Sequence, residues 1–316
     1  MAGKYITMKT KMIDIFIPSY HRPYNLKTVK YFHKIGWDIN KIHVFIDDET
    51  DDIKDYEKVA NEIGFNLYVF DMKEARRRYD YVHRASISRR SAGQARNMFY
   101  DYAKKMGIEF YLVQDDDTIS YQIKRFGRYV RLATLDDILV TFNNVKELMY
   151  KRHIGCFGIS QTGDFIGGEN KKLIRNKVMN TTFILTKYIY RGERGVQDDD
   201  TSQFVCIMNE GLFTGSYGDG LVLNQTVSAV SKGGLTDLYN ECKLLNKALV
   251  TPIQFPSAIY AERQKKNGGR LHHHIVSKYL YPRILKGTER DNIAWDTYPE
   301  DYPFTNEPKR NNYGII

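Results

Sequence analysis

The chain has 316 residues, 42% of them hydrophobic, with 47 lysines and arginines against 38 aspartates and glutamates, a net charge of +9. That length allows one large domain or two smaller ones with ample core, and no apolar stretch approaches the roughly 20 residues of a bilayer-spanning helix, so no membrane partner is expected. Three widely spaced cysteines, Cys156, Cys206 and Cys242, argue against a disulfide framework and for a reducing compartment. The lead, residues 1–11, lacks the apolar segment of a secretory signal, which predicts a cytoplasmic location (the host's cytoplasm if the chain is viral).

Strands and helices alternate from there. Ile13 to Ile17 reads as a short strand ending at Pro18-Ser19, and Leu26, Val29 and Phe32 follow at helical spacing up to Gly36. Ile42 to Ile46 is a second strand, with Asp47-Asp48 at its end. A helix with Ile53, Tyr56, Val59, Ala60 and Ile63 inward closes at Gly64. Phe65 to Phe70 is a third strand. After a basic stretch, Ala92 to Met106 reads as a helix closed by Gly107. The apolar run Phe110-Tyr111-Leu112-Val113 then meets Gln114-Asp115-Asp116-Asp117-Thr118.

Such alternation predicts an α/β fold, a mostly parallel sheet flanked by helices. Ligands of such sheets bind beyond the carboxyl ends of the strands. Pro18-Ser19, Asp47-Asp48 and Asp115 to Asp117 all fall there, so three polar clusters converge on one rim. Alternation along a strand would turn Asp115 and Asp117 to one side and Asp116 to the other. Two carboxylates side by side repel unless a cation sits between them, and hard oxygen ligands suit Mg2+ or Mn2+. A solvated, Asp-rich turn is the bland alternative.

The second half changes character. Thr134 to Tyr150 reads as a helix, and Ile154 to Ile159 and Thr181 to Leu185 as strands. A second run, Gln197-Asp198-Asp199-Asp200-Thr201, precedes an apolar helix from Ser202 to Met208; helix capping alone could account for it. Beyond Gly211 the pattern is irregular, with a tail from Asp291 rich in Tyr, Pro and Asn. The expected divisions are residues 1–11 as a lead, 12–210 as the ligand-binding core, and 211–316 as a mixed acceptor-side and C-terminal extension.

Four pieces in this order resemble glycosyltransferases of the A-type (GT-A, Rossmann-like) fold. They are Ile15-Phe16-Ile17-Pro18-Ser19-Tyr20 with Arg22-Pro23; Val44-Phe45-Ile46-Asp47-Asp48; Gly93-Gln94-Ala95-Arg96-Asn97; and Asp115-Asp116-Asp117, which fits an Asp-x-Asp metal motif. The resemblance covers about residues 12 to 205 and implies a UDP-sugar donor and a Mn2+ or Mg2+ cofactor. It implies that Pro18, Ser19 and Tyr20 line the nucleotide pocket, that Asp47 or Asp48 contacts base or ribose, and that Arg96 lies at the same rim. Asp115 would touch ribose and metal, Asp116 the donor, and Asp117 the metal. The second run sits where such families carry an acidic base, with Asp198 the first candidate and Asp199 the next. Gln197 stands where a Glu is usual, so both stereochemical outcomes stay open. In His272-His273-His274, His272 and His274 are the candidates for a further metal ligand, a surface loop being the alternative.

The basic surplus is clustered. Arg76, Arg77, Arg78, Arg84, Arg89 and Arg90 are the candidates for DNA contact. Lys124, Arg125, Arg128 and Arg131 form a second group, interleaved with Tyr121 and Tyr129, and Arg263, Lys265, Lys266 and Arg270 a third. Phosphate contact with base stacking and a plain solvated surface both fit. In overall style the chain is similar to virus-encoded glycosyltransferases that decorate hydroxymethylated pyrimidines in DNA, the group associated with base-oxidising dioxygenases. That implies double-stranded DNA as acceptor. A protein or polysaccharide acceptor, a metal-dependent nuclease or nucleotidyltransferase, and a noncatalytic nucleic-acid-binding module are the rival readings.

Overall fold

Apolar runs bounded by Pro, Gly and Asp become strands, and runs with a 3.6-residue apolar stripe become helices. The computed structural model describes residues 11–78, 92–125, 128–152, 154–161, 177–179, 181–188, 198–217, 220–225, 247–264, 269 and 271–280. In chain order its elements are β1 (Asp14–Pro18), α1 (Lys27–Lys34), β2 (Ile42–Asp47), α2 (Ile53–Ile63), β3 (Asn66–Phe70), α3 (Met72–Arg78), α4 (Ala92–Lys105), β4 (Phe110–Gln114), β5 (Thr118–Arg125), β6 (Arg128–Leu132), α5 (Leu135–Lys151), β7 (Ile154–Ile159), β8 (Thr181–Leu185), α6 (Asp199–Asn209), β9 (Phe213–Tyr217), β10 (Gly220–Gln225), β11 (Ile259–Arg263) and β12 (Leu271–Ile275). Residues 247–254 are also helical.

Seven strands form the main sheet in the order β3-β2-β1-β4-β8-β7-β9. All run parallel except β8, which is antiparallel to both β4 and β7. This is the mostly parallel, helix-flanked sheet that the alternation predicts. Period-2 alternation splits β1 between two cores. Ile15 and Ile17 join Val44 and Leu112 under α1, α2 and α5, packing on Val29, Phe32, Tyr56, Val59, Ile138 and Phe142. Phe16 points the other way, toward α4, where its ring lies 4.7 Å from Tyr111, 5.0 Å from Phe45 and 5.5 Å from Phe99 between centroids. Each such side chain contributes about 1.5–3 kcal/mol on burial.

Helix ends follow local chemistry. Gly64 closes α2 at φ 97°, a left-handed conformation that glycine adopts without strain. Thr134, expected as the first residue of α5, is its N-cap, and it exchanges hydrogen bonds with Asp137 in a capping box.

The largest departure lies past Gly211, where irregular chain is expected and the structure has four strands. β9 pairs with β7 as the last strand of the main sheet, so the core runs beyond residue 210, where the sequence places a boundary. Its segment, Phe-Thr-Gly-Ser-Tyr, mixes small and polar residues, which hides a buried strand from hydropathy. β10, β5 and β6 form a separate antiparallel sheet, and β11 and β12 a hairpin. The tail from Asp291 and most of the lead lie outside the described residues.

Gly158 on β7 has no room for a side chain against β8 and the residues before it. A Cβ there would sit 2.5 Å from Val178 Cγ1 and 2.9 Å from the Thr181 carbonyl oxygen. Because the latter is backbone of the neighbouring strand, it cannot move aside cheaply. Gly158→Ala is therefore expected to destabilise the fold by about 1–3 kcal/mol and to lower the melting temperature by several degrees, measured by thermal denaturation. An unchanged melting temperature would mean that β7 and β8 have room to separate.

Candidate functional site

β1, β2 and β4 end at one rim because they are parallel. Between β1 and β4 the chain's progression across the sheet reverses direction, which opens a crevice at their carboxyl ends. The first acidic run sits there. β4 stops at Gln114, and Asp115 to Asp117 form the turn into β5, so strand alternation does not govern them as expected. Gln114 pins both ends of the turn. Its buried amide donates to Thr118 Oγ1 at 2.7 Å and its carbonyl accepts from Tyr121 and Thr181 at 2.7 and 3.0 Å. Thr28, at the start of α1, grips the middle. Its hydroxyl donates to the Asp115 carbonyl and accepts from Thr118 N at 3.0 Å, and its own N–H donates to the Asp116 carbonyl at 3.1 Å.

The three carboxylates have different surroundings. Asp116 turns into the protein, accepting from Ser19 Oγ and Arg22 Nη1, both at 2.7 Å. Tyr56 completes that knot, sharing a 2.8 Å hydrogen bond with Ser19 and accepting from Arg22 N at 3.0 Å. Burial pushes the Asp116 carboxyl upward, and Arg22 and Ser19 pull it part of the way back. Burial, and then repulsion from Asp115 and Asp116, push Asp117 up to about 7. Asp115 pairs with Arg96, whose Nη2 lies 2.6 Å from its Oδ1.

Other rim residues have local duties. Pro18 ends β1, and the Tyr20 ring lies 3.9 Å from that of His21. Asp47 accepts from Glu49 N at 3.1 Å, and Asp48 accepts from Met72 N at 2.9 Å, so both carboxylates shape the loops after β2 and β3.

The second acidic run comes to the same place. Arg96 donates its other terminal nitrogen to Asp199, 103 residues further along the chain, so one guanidinium joins the two runs. Lys177 Nζ lies 2.6 Å from Asp200; burial opposes ionisation there, and Lys177 more than offsets it, holding the carboxyl below its ordinary range. Asp198 is the N-cap position of α6 but makes no side-chain cap bond, so capping does not account for it. Its backbone is left-handed at φ 55°. Its buried carboxylate lies 3.5 Å from Lys247 Nζ and 3.3 Å from His273 Nδ1.

The histidine triplet lies on β12, where alternation separates its members. His273 is buried against Asp198. His274 faces Glu262 at 3.4 Å and packs near Tyr260, half exposed. The His272 ring lies 4.5 Å from that of His273. The middle histidine thus reaches the acidic run, beside the outer pair favoured from sequence. Of the expected DNA contacts, Arg76 makes a two-pronged pair with Glu49 at 2.7 and 2.8 Å, and Arg77 pairs with Glu74. The side chain of Arg78, and all of Arg84, Arg89 and Arg90, lie outside the described residues. Thr28, Tyr56, Lys177 and Lys247 carry no sequence signal for these roles; the period-2 pattern of a histidine strand would have singled out His273. Among the described residues, the group of three whose ligand atoms lie within 4.8 Å of one another is His21, Asp51 and Asp52, on the surface.

The sequence profile of the family described as TET-associated glycosyltransferase matches residues 13–234. The chain belongs to that family. Both acidic runs, Arg96 and Lys177 of this TET-associated glycosyltransferase fall inside the matched span, whereas Lys247 and His273 lie beyond it. No curated protein matches the chain. Among solved structures, it is similar to glucosyl-3-phosphoglycerate synthase from Mycobacterium tuberculosis in complex with Mg2+ and UDP, at 10% identity, TM-score 0.44, and coverage of 84% of this chain and 87% of that one. The same synthase with Mn2+, UDP and glucosyl-3-phosphoglycerate matches at 9% identity and TM-score 0.45 over the same shares, 84% and 87%. A cytidylyltransferase from Leptospira borgpetersenii matches at 11% identity and TM-score 0.32, over 75% of this chain and 86% of that one. Among the described residues of the glycosyltransferase, no helix is long and apolar enough to cross a membrane.

Asp117 makes a test of this electrostatic picture. Unfolded, its carboxyl titrates near 3.8; folded, near 7. Between those values the folded protein holds the extra proton, so its stability falls as pH rises through the window and levels off above it. Without metal, the melting temperature of wild type relative to Asp117→Asn should therefore decline from about pH 4 to about pH 7 and then stay flat, measured by thermal denaturation in chelator. A difference independent of pH would show that Asp117 ionises as it does in water.

Proposed function

We propose that this glycosyltransferase moves a sugar from a UDP-sugar, with Mn2+ or Mg2+ as cofactor, onto the hydroxyl of a hydroxymethylated pyrimidine in double-stranded DNA. The observation that carries the reading is the meeting of the two acidic runs on Arg96, at the rim where parallel sheets take their ligands. The family's association with base-oxidising dioxygenases supports the acceptor, because oxidation of a base methyl group creates the primary hydroxyl that a sugar transfer needs.

The donor set suits a hard dication. Asp115 and Asp117 offer carboxylate oxygens within one turn; burial first, and then repulsion from Asp115 and Asp116, raise Asp117, and a cation would relieve the repulsion. These two residues would hold it, and of the histidines His273, turned inward to Asp198, is the one we assign to the site. When bound, the cation stabilises negative charge on the departing diphosphate. Pro18, Ser19 and Tyr20 line the nucleotide side, with Asp47 and Asp48 farther along the rim. Ser19 and Arg22 hold Asp116 and so fix the turn. Asp199 is our choice for the base that takes the acceptor hydroxyl proton, since it shares a guanidinium with Asp115. Asp198 then acts as the anchor that ties α6 to Lys247 and His273.

Two measurements test this. Saturating UDP with Mn2+ should raise the melting temperature by several degrees, since ligand at about 100 times its Kd adds about 2.7 kcal/mol. Either component alone should do much less, and Asp115→Asn or Asp117→Asn should abolish the joint effect. A shift that ignores the metal would remove the proposed cation from the site. Mass spectrometry of hydroxymethylated duplex DNA incubated with UDP-sugars should show a hexose or pentose adduct, reduced by about 10²-fold or more in Asp199→Asn. Sugar appearing only on protein or polysaccharide would overturn the acceptor.

A further inference from the structure

Ser19, Arg22, Tyr56 and Asp116 close a ring of four hydrogen bonds beneath the rim. Arg22 N–H donates to Tyr56 Oη at 3.0 Å, Tyr56 and Ser19 share a bond of 2.8 Å, and Ser19 Oγ and Arg22 Nη1 each donate to one oxygen of Asp116 at 2.7 Å. The direction of every bond is fixed. A serine hydroxyl has one proton, and Ser19 gives it to Asp116, so in the shared bond Ser19 accepts and Tyr56 donates. Burial pushes the Tyr56 hydroxyl above its ordinary range, which keeps that proton in place. A ring with a single proton arrangement has no second pattern to slip into, and opening it leaves buried polar groups short of a partner.

The ring joins three separate parts of the fold. Tyr56 is a fully buried residue of α2 and belongs to the apolar core under the sheet. Ser19 is fastened to β2, where its N–H donates to the Phe45 carbonyl at 3.0 Å. Asp116 is the middle of the acidic turn. A parallel grip comes from Thr28, whose N–H donates to the Asp116 carbonyl at 3.1 Å and whose hydroxyl accepts from Thr118 N at 3.0 Å. The segment from Ser19 to Thr28 therefore holds the acidic turn by side chain and by main chain. Tyr24 of the same segment also donates to α2, to Asp55 at 2.8 Å, but on the surface and outside the ring.

We infer that Tyr56 is a positioning residue for both halves of the donor site: its hydroxyl keeps the ring closed, and the closed ring holds Ser19 where the uridine half docks and the Asp115 to Asp117 turn where the cation docks. This rests on the donor and cation reading proposed above. The ring is built wholly from the chain's own groups, so it forms both half-sites before either is filled, and opening it loosens both at once. A half-site that is competent only part of the time binds its ligand more weakly by that fraction, and a first ligand that closes the ring restores the affinity for the second. Linkage requires the restoration to be equal in the two directions. A contact made to one ligand alone produces no such reciprocity, and neither does a general loosening of the fold.

The test measures binding of Mn2+, by the paramagnetic resonance of the free ion, and of uridine, by calorimetry, each alone and each with the other saturating, on the full chain. Uridine has no phosphate with which to touch the cation, and any contact through its ribose is common to wild type and variants, so wild type is the reference. Tyr56→Phe keeps the buried aromatic ring and removes the hydroxyl. Each ligand alone should bind it about five- to tenfold more weakly than wild type, and saturation with the other should bring that affinity back to the wild-type value. Arg22→Gln, which opens the ring on the other side of Asp116, should show the same pattern, and it decides the matter if Tyr56→Phe does not fold. Tyr24→Phe should match wild type throughout. Weakening of one ligand only, of both without mutual restoration, or of neither would overturn the assignment. Loss of a cooperative melting transition in both ring variants would overturn it too, since the ring would then serve the fold and not the site. Wild type that binds neither Mn2+ nor uridine would overturn the donor reading itself, and this inference with it.

Discussion

Six carboxylates are gathered in two short segments at one rim of the sheet, and the arrangement depends on cations brought to them from elsewhere in the chain. Arg22 comes from the loop after β1, Arg96 from the first turn of α4, Lys177 from the segment before β8, and Lys247 from the helical residues near the C-terminal hairpin. Arg96 is central because it touches both segments, Asp115 after β4 and Asp199 at the start of α6. A guanidinium can serve two carboxylates at once through its fork of donors, which a lysine cannot do in the same geometry. Breaking such a partly buried contact by removing one partner leaves the other charged and less well solvated than in water. The site is therefore held by electrostatic closure as much as by the apolar layers beneath it.

Those layers explain why the rim is rigid enough to hold like charges together. Phe16, Phe45, Phe99 and Tyr111 interlock under α4, the helix that delivers Arg96. On the opposite face α1 packs below the acidic turn and sends Thr28 up to hold it. The polar groups at the rim thus inherit their positions from the two cores, and the buried Gln114 links the turn to both β5 and β8.

Much of this was legible in the amino-acid order. Apolar runs such as Ile15 to Ile17 and Val44 to Ile46 mark buried strands with little ambiguity, and Gly64 and Thr134 mark helix ends through backbone and capping chemistry. The convergence of Pro18-Ser19, Asp47-Asp48 and Asp115 to Asp117 follows from strands being parallel, so one rim could be inferred from topology alone. What could not be read is contact between distant segments. Nothing near Arg96 encodes Asp199, and nothing near Asp116 encodes Tyr56. The short polar strand β9 gave no hydropathic sign, because its partner β7 and helix α6, not its own side chains, bury it. The orientation of the histidines depended on knowing that they form a strand, which their polar neighbours conceal. The repeated Gln-Asp-Asp-Asp-Thr stretch was visible, but that its two copies meet became visible only in three dimensions.

Asp198 narrows what this position can become over evolutionary time. Its left-handed backbone suits glycine, asparagine and aspartate, and resists side chains branched at Cβ. Glycine would relax the backbone but surrender the carboxylate that faces Lys247 and His273; asparagine would keep shape and lose charge. A lineage drifting at this codon therefore meets a conformational filter and an ionic filter together, and few substitutions pass both. Relatives that replace this aspartate should be found to have changed the lysine or the histidine as well, so the three positions would vary as a set.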